Sequence, residues 1–154
     1  MNVIVSNKYQ SLLASLNIDV IKSINGEFSV EELINQFQSF YFNKMIIDIT
    51  AIKGYEDIKV MQNLSLNFDM SKVILLLDDS EKVNSPVYIS QLISMGIYNF
   101  ASDINTIRYL IDNPNQYKDV ANYHNLNGFK KPTLNDNSVD NTRGKIGQKI
   151  IGFK

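Results

Sequence analysis

Between Val3 and Ile111 the sequence runs five times through one pattern: a short apolar or β-branched run, a turn, then apolar residues at helical spacing. Val3-Ile4-Val5 is stopped by Ser6-Asn7 and followed by Leu12, Leu13 and Leu16. Ile18, Val20 and Ile21 form a second run, closed by Asn25-Gly26. Ser29 with Glu31 and Glu32 then marks a helix start, and Leu33, Ile34 and Phe37 make its stripe. Met45-Ile46-Ile47-Asp48-Ile49 precedes a break at Gly54 and a helix carrying Ile58, Met61, Leu64 and Leu66. Val73 to Leu77 is apolar at every position. Pro86 suits a first helical turn, Val87, Ile89, Leu92 and Ile93 follow it, and Gly96 ends that helix. Tyr98 to Ala101 is the fifth run, before Ile104, Ile107, Leu110 and Ile111, which stop at Asn113-Pro114.

Strands alternating with helices require crossover connections, and these are right-handed. The outcome is a parallel sheet with helices on both faces. Runs such as Val73 to Leu77 suit a central strand covered on each side. The pattern therefore predicts an α/β fold: a three-layer, doubly wound, five-stranded parallel sheet of flavodoxin-like order 2-1-3-4-5.

Composition narrows the function classes. Apolar residues make up 44% and charged residues 20%, which permits a normal core. The net charge of −1 offers no basic face in the aggregate, so no nucleic-acid partner is expected. Cysteine is absent, excluding disulfides, thiolate catalysis and zinc-thiolate sites, and making the cytoplasm the default location. No apolar run approaches the roughly 18–20 residues of a spanning helix, so no membrane insertion is expected.

Beyond Tyr117 the character changes. Residues 118–146 are rich in Asn, Asp, Lys and Gly, as in Asn135-Asp136-Asn137-Ser138, and read as a flexible linker after a domain of residues 1–117. The lone His124 falls in this stretch and is read as exposed. Lys149-Ile150-Ile151-Gly152-Phe153 resembles the start of another strand.

Over residues 1–117 the sequence resembles the receiver domain of response regulators. The resemblance rests on the five β–α units, on Asp48 near the end of strand three, and on Met95-Gly96-Ile97-Tyr98-Asn99-Phe100 leading into strand five. It implies a phosphoacceptor at Asp48, two acidic residues after strand one that hold Mg²⁺, a hydroxyl after strand four and a lysine after strand five. Here Ser6 and Asn7 stand at the acidic pair, Leu77 at the hydroxyl, and Ser102-Asp103 at the lysine and its neighbour. Without a metal site or lysine, a phosphoryl group on Asp48 would lack compensating cations. The expectation is a non-catalytic, vestigial receiver that needs no cofactor, with Asp48 facing water or accepting bonds from loop N–H groups. The alternative is an unusual phosphoacceptor at Asp48, with Asp78 or Asp79 replacing metal ligands. A divalent cation among Asp48, Asp78, Asp79 and Glu81 stands against a plain acidic loop. A third reading is a small ligand at the switch point of the sheet.

Tyr98, Phe100 and Tyr109 lie around strand five and the last helix, the face many receivers use for partners. They are either interface anchors for a protein partner or homodimer, or core. The arrangement also resembles the ParA/MinD-type ATPases of pilus-assembly and conjugation-like systems, including TadZ-like proteins, in which an atypical receiver precedes a P-loop ATPase. That resemblance implies that residues 147–154 begin such an ATPase domain, and that the receiver-like module regulates or localises it. No G-x-x-x-x-G-K-S/T sequence is present, so the chain is not expected to be an ATPase through such a site.

Overall fold

The five apolar runs pair as a single parallel sheet in a computed structural model that describes residues 1–124. The strands are β1 (Asn2–Ser6), β2 (Val20–Asn25), β3 (Met45–Asp48), β4 (Val73–Leu76) and β5 (Phe100–Ala101), in the order β2-β1-β3-β4-β5. The helices are α1 (Gln10–Ala14), α2 (Val30–Phe37), α3 (Ile58–Asn67), α4 (Pro86–Ser94), α5 (Ile104–Asp112) and a short α6 (Tyr117–Val120). This is the doubly wound, receiver-like α/β arrangement that the periodicity predicts.

Strand periodicity sorts the core into two layers. Val3, Val5, Met45, Ile47, Val73 and Leu75 point to one face, where α2, α3 and α4 supply Leu33, Phe37, Met61, Leu64, Ile89 and Leu92. Ile4, Ile46, Ile74 and Leu76 point to the other, against Leu13 and Leu16 near α1 and Ile107 and Leu110 of α5. The three inner strands are buried throughout, whereas β2 is an edge strand with Val20 and Ile21 exposed.

Local chemistry places the helix ends. Ser29 and Glu32 form a reciprocal capping box on α2. Ser85 caps α4 with Pro86 in its first turn. Gly96 takes a φ of +85°; its N–H donates to the Ile93 carbonyl, and the Ile97 N–H reaches back to the Leu92 carbonyl. That is a Schellman end, which glycine permits without a Cβ penalty, and it seats buried Ile97 against the core.

Some expectations need correction. Leu66 and Val87, assigned to the apolar stripes of α3 and α4, are 77% and 66% exposed. Each sits off the face that its helix turns to the sheet, and Tyr88 is buried beside Val87 instead. Strand β3 ends at Asp48 rather than Ile49, because the Asp48 carboxylate caps a 3₁₀ turn over Ile49–Ala51. The start of the expected linker is also folded. Residues 117–123 form α6 and a 3₁₀ turn that cross to the α4 side and bury Val120 completely. His124 is accordingly not an exposed linker residue. Its Nε2 lies 3.0 Å from Ser94 Oγ and its Nδ1 2.9 Å from the Tyr117 hydroxyl. Ser94 Oγ gives its proton to the Ser90 carbonyl, so the contact with His124 is one in which Nε2–H donates to Ser94 Oγ. The remainder of the expected linker and the strand-like segment 147–154 lie outside the described residues.

Candidate functional site

A doubly wound sheet offers its chemistry beyond the carboxyl ends of its strands, beside the point where strand order reverses. Here that point lies between β1 and β3, and Asp48 stands at it, fully buried. Its Oδ2 accepts the backbone N–H of Asn7 (2.9 Å) and of Tyr9 (2.8 Å). Its Oδ1 accepts the Thr50 N–H (3.0 Å) and the Thr50 hydroxyl (2.8 Å). An ionised carboxylate has about four acceptor sites, and all of these are filled by the protein itself.

The neighbours complete the closure. Asn7, at a position where the resemblance implies a metal-binding acid, donates its side-chain amide to the Thr50 carbonyl (2.9 Å). The Lys8 N–H donates to Thr50 Oγ1 (3.1 Å), and Ser6 Oγ donates to Asn25 Oδ1 (3.2 Å). The loop after β1 is thus stitched to the turn after β3 by direct hydrogen bonds, where a receiver would interpose a cation. Among the two expected readings of Asp48, the geometry is that of a carboxylate satisfied by loop N–H groups.

The other positions also depart from the set that the resemblance implies. Leu77 is buried and carries no donor. Asp103 caps α5, its Oδ1 accepting the Thr106 N–H at 2.7 Å. Ser102 has a buried hydroxyl without a hydrogen-bond partner among the described residues.

Asp78 forms a second closed carboxylate. Its Oδ1 accepts the Ser80 N–H (3.1 Å) and hydroxyl (2.7 Å), and its Oδ2 accepts the Tyr55 hydroxyl (2.7 Å). Tyr88 in turn donates to the Tyr55 carbonyl (2.6 Å). Burial, then the bond to Asp78, push the Tyr55 hydroxyl well above the usual tyrosine range; burial and the Asp78 charge do the same to Tyr88. Tyr9 is also raised, by burial first and then by Asp79, Asp78 and Asp48. Asp79 and Glu81 are exposed. Among the described residues no group of three His, Asp or Glu side chains is placed to hold a metal ion, so Asp48, Asp78 and Asp79 are not brought together as ligands.

These raised tyrosines carry a sign. A hydroxyl whose folded pKa lies above its unfolded value of about 10 keeps its proton longer in the native state, so the native state binds more protons at alkaline pH. Stability is therefore undiminished below pH of about 10 and falls as pH rises beyond it. Tyr55→Phe should cost about 1–2 kcal/mol at neutral pH, since a buried Asp78 oxygen loses its donor. It should also flatten the alkaline decline. Urea denaturation of both proteins at pH 7, 10 and 11 measures both effects.

Two clefts open at this edge. One of about 500 Å³ is lined by Asn7, Lys8, Thr50 and Lys53 among others. One of about 560 Å³ lies between Tyr9, Leu76, Asp78 and Ser102. The switch-point crevice is thus open, though neither cleft exposes an Asp48 oxygen.

The face around β5 divides. Phe100 is fully buried in the α4-side core and is not an interface anchor, because β5 points it inward. Tyr98 is half-buried, edge-on to Tyr117 with ring centroids 5.9 Å apart. Of the three, only Tyr109 stands well exposed, at 50%.

The sequence marks Asn7 only as a departure from the acidic pair, and it singles out none of Tyr9, Thr50 and Tyr55. A signal did exist. Asp48-Ile49-Thr50, Asp69-Met70-Ser71 and Asp78-Asp79-Ser80 share the spacing Asp-x-Ser/Thr. In each, one carboxylate oxygen accepts both the N–H and the hydroxyl two residues on.

No protein-family model matches the chain, and no curated protein does. Among solved structures it is similar to the RcsB response regulator of Salmonella typhimurium, described for conformational dynamism in DNA interaction. The two are 17% identical over 94% of this chain and 70% of that one, with a TM-score of 0.49. The fold assignment rests on the strand order and the placement of the helices, not on that likeness. Among the described residues no helix is long and apolar enough to cross a membrane.

Proposed function

We propose that this receiver-like domain is a non-catalytic module for protein interaction, regulating or localising an attached ParA/MinD-type ATPase. The observation that carries the non-catalytic half is the Asp48 carboxylate, buried and bonded through both oxygens to protein donors. In-line attack on a phosphoryl donor needs an oxygen within about 3–3.5 Å of phosphorus and an open approach to it. Freeing either Asp48 oxygen strands two donors of the stitched loops. The attached ATPase comes from the resemblance stated for the sequence and is tested separately. Tyr109, exposed on α5, is the residue through which the β5–α5 face would meet a protein partner or a second copy.

Incubation with acetyl phosphate and Mg²⁺, followed by intact-mass measurement, should show no added phosphoryl group. The amide spectrum around Asn7, Tyr9 and Thr50 should be unchanged by beryllofluoride. A stable mass increase lost in Asp48→Asn would overturn the reading in favour of an unusual phosphoacceptor.

A further inference from the structure

At the opposite pole, where the strands begin, the loop between α2 and β3 gathers aromatic rings and lysines. Phe37 and Phe42 are buried, Phe40 packs edge-on to Phe37, and Tyr41 is left 71% exposed. Lys22 places its ammonium 5.3 Å and 5.2 Å from the Phe37 and Phe40 ring centroids. Lys72 lies 4.7 Å from the centre of the Tyr41 ring and 5.3 Å from that of Phe42. Lys44 donates to the Ser71 carbonyl at 3.4 Å.

Among the described residues none of these three ammonium groups has a carboxylate within ion-pair distance; the pairs there are Met1–Asp19 and Lys53–Glu32. Aromatic faces and carbonyls hold the lysines in place without a direct ion pair among the described residues. Asp19 pairs with the N-terminus, and Asp69 binds Ser71 through its N–H and hydroxyl. The Ser71 bonds, then Lys72 and Lys44, hold the Asp69 carboxyl below its usual range.

Exposed apolar groups share this edge. The Asn43 N–H donates to the Met1 carbonyl, and Val20 pairs with Asn2, so Met1 and Val20, both exposed, flank the loop that presents Tyr41. At the opposite edge one cleft is lined by Asp78, Asp79 and Glu81, and the other by Glu27 and Glu56 together with Lys8 and Lys53.

We infer that this pole is a docking surface for an anionic lipid bilayer, which the domain would meet peripherally, with Tyr41 at the headgroup level and Lys22, Lys44 and Lys72 over the phosphates. Aromatic rings with a polar tip favour that depth, and snorkelling lysines favour the charged layer above it. An exposed methionine and valine beside the lysines suit a bilayer surface better than a nucleic-acid strand, which offers phosphates and bases but no apolar layer. The inference deepens the localising half of the proposed function and is independent of Asp48, so its failure leaves the phosphorylation result standing.

The test is co-sedimentation of the full 154-residue chain with vesicles of phosphatidylcholine alone or mixed with phosphatidylglycerol. Binding is expected to the mixed vesicles and not to the neutral ones. Each lysine near such a surface contributes about fivefold, so Lys44→Gln/Lys72→Gln should bind about 20–30-fold more weakly. Tyr41→Ala should also weaken binding. Lys59→Gln/Lys82→Gln, at the other edge, should not, and thermal melting verifies that each variant is folded. Basic residues after His124 are present in every protein compared, so any affinity they supply cancels. Equal binding by wild type and the Lys44/Lys72 variant would overturn the inference. So would a fluorescent oligothymidylate that binds through these lysines when vesicles do not.

Discussion

Asp48→Ala is expected to destabilise the domain by about 3–5 kcal/mol, although it removes a residue whose counterpart in receivers serves chemistry. The substitution leaves the N–H groups of Asn7, Tyr9 and Thr50 without their acceptor. Each buried orphan donor costs about 1–3 kcal/mol, and some of that is recovered as water enters the opened loops. The isosteric Asp48→Asn is the sharper variant. Its one carbonyl oxygen can satisfy either the Asn7–Tyr9 pair or the Thr50 pair, and its NH₂ must then face an N–H on the other side. The Thr50 hydroxyl can rotate to accept, but the Thr50 N–H cannot, so at least one donor is stranded at a cost of about 2 kcal/mol. Urea denaturation measures both. A surface carboxylate retained for phosphorylation alone would leave Asp48→Asn as stable as the wild type, and that result would remove the structural role assigned here.

Phe100→Ala should cost a similar amount, about 3–5 kcal/mol, by opening a cavity against Leu75 and the α4 side of the core. A domain has about 5–15 kcal/mol in total, so such a loss lowers its melting temperature by something like 10–20 °C. Tyr109→Ala, half-exposed on α5, should change stability by no more than about 0.5 kcal/mol. The pair separates core from surface within one aromatic group. If Phe100→Ala melted like wild type and Tyr109→Ala did not, the inward orientation of β5 would be wrong. Sedimentation of Tyr109→Ala then reports any loss of self-association without the complication of unfolding.

The fold could be read from hydrophobic periodicity because burial imposes it strongly. A strand covered on both faces must be apolar at every position, as Val73 to Leu76 is, and a helix on that sheet needs only one stripe. Errors arose where a helix has more apolar residues than its buried face can hold. Leu66 and Val87 fit helical spacing but point away from the sheet, and spacing alone carries no phase. The fold-back of residues 117–123 escaped for the opposite reason. A polar stretch that buries one valine and ties down one histidine has the composition of a linker.

At the candidate site, the departures from the receiver pattern were visible in residue types. Ser6, Asn7, Leu77 and Ser102-Asp103 stand where the resemblance implies two acids, a hydroxyl and a lysine with its neighbour. Residue types could not say how Asp48 itself is satisfied. Whether a carboxylate is open to solvent or saturated depends on backbone N–H groups brought from 39 and 41 residues away, and those directions exist only once β1 and β3 lie side by side. The same holds for the lysines around Tyr41. Their sequence separation hides a cluster that chain folding assembles at the strand starts. The order of elements was a property of the chain itself, because it follows from local burial. The saturation of the Asp48 carboxylate belongs to the tertiary fold, because hydrogen bonds are directional and two of its donors come from a distant segment.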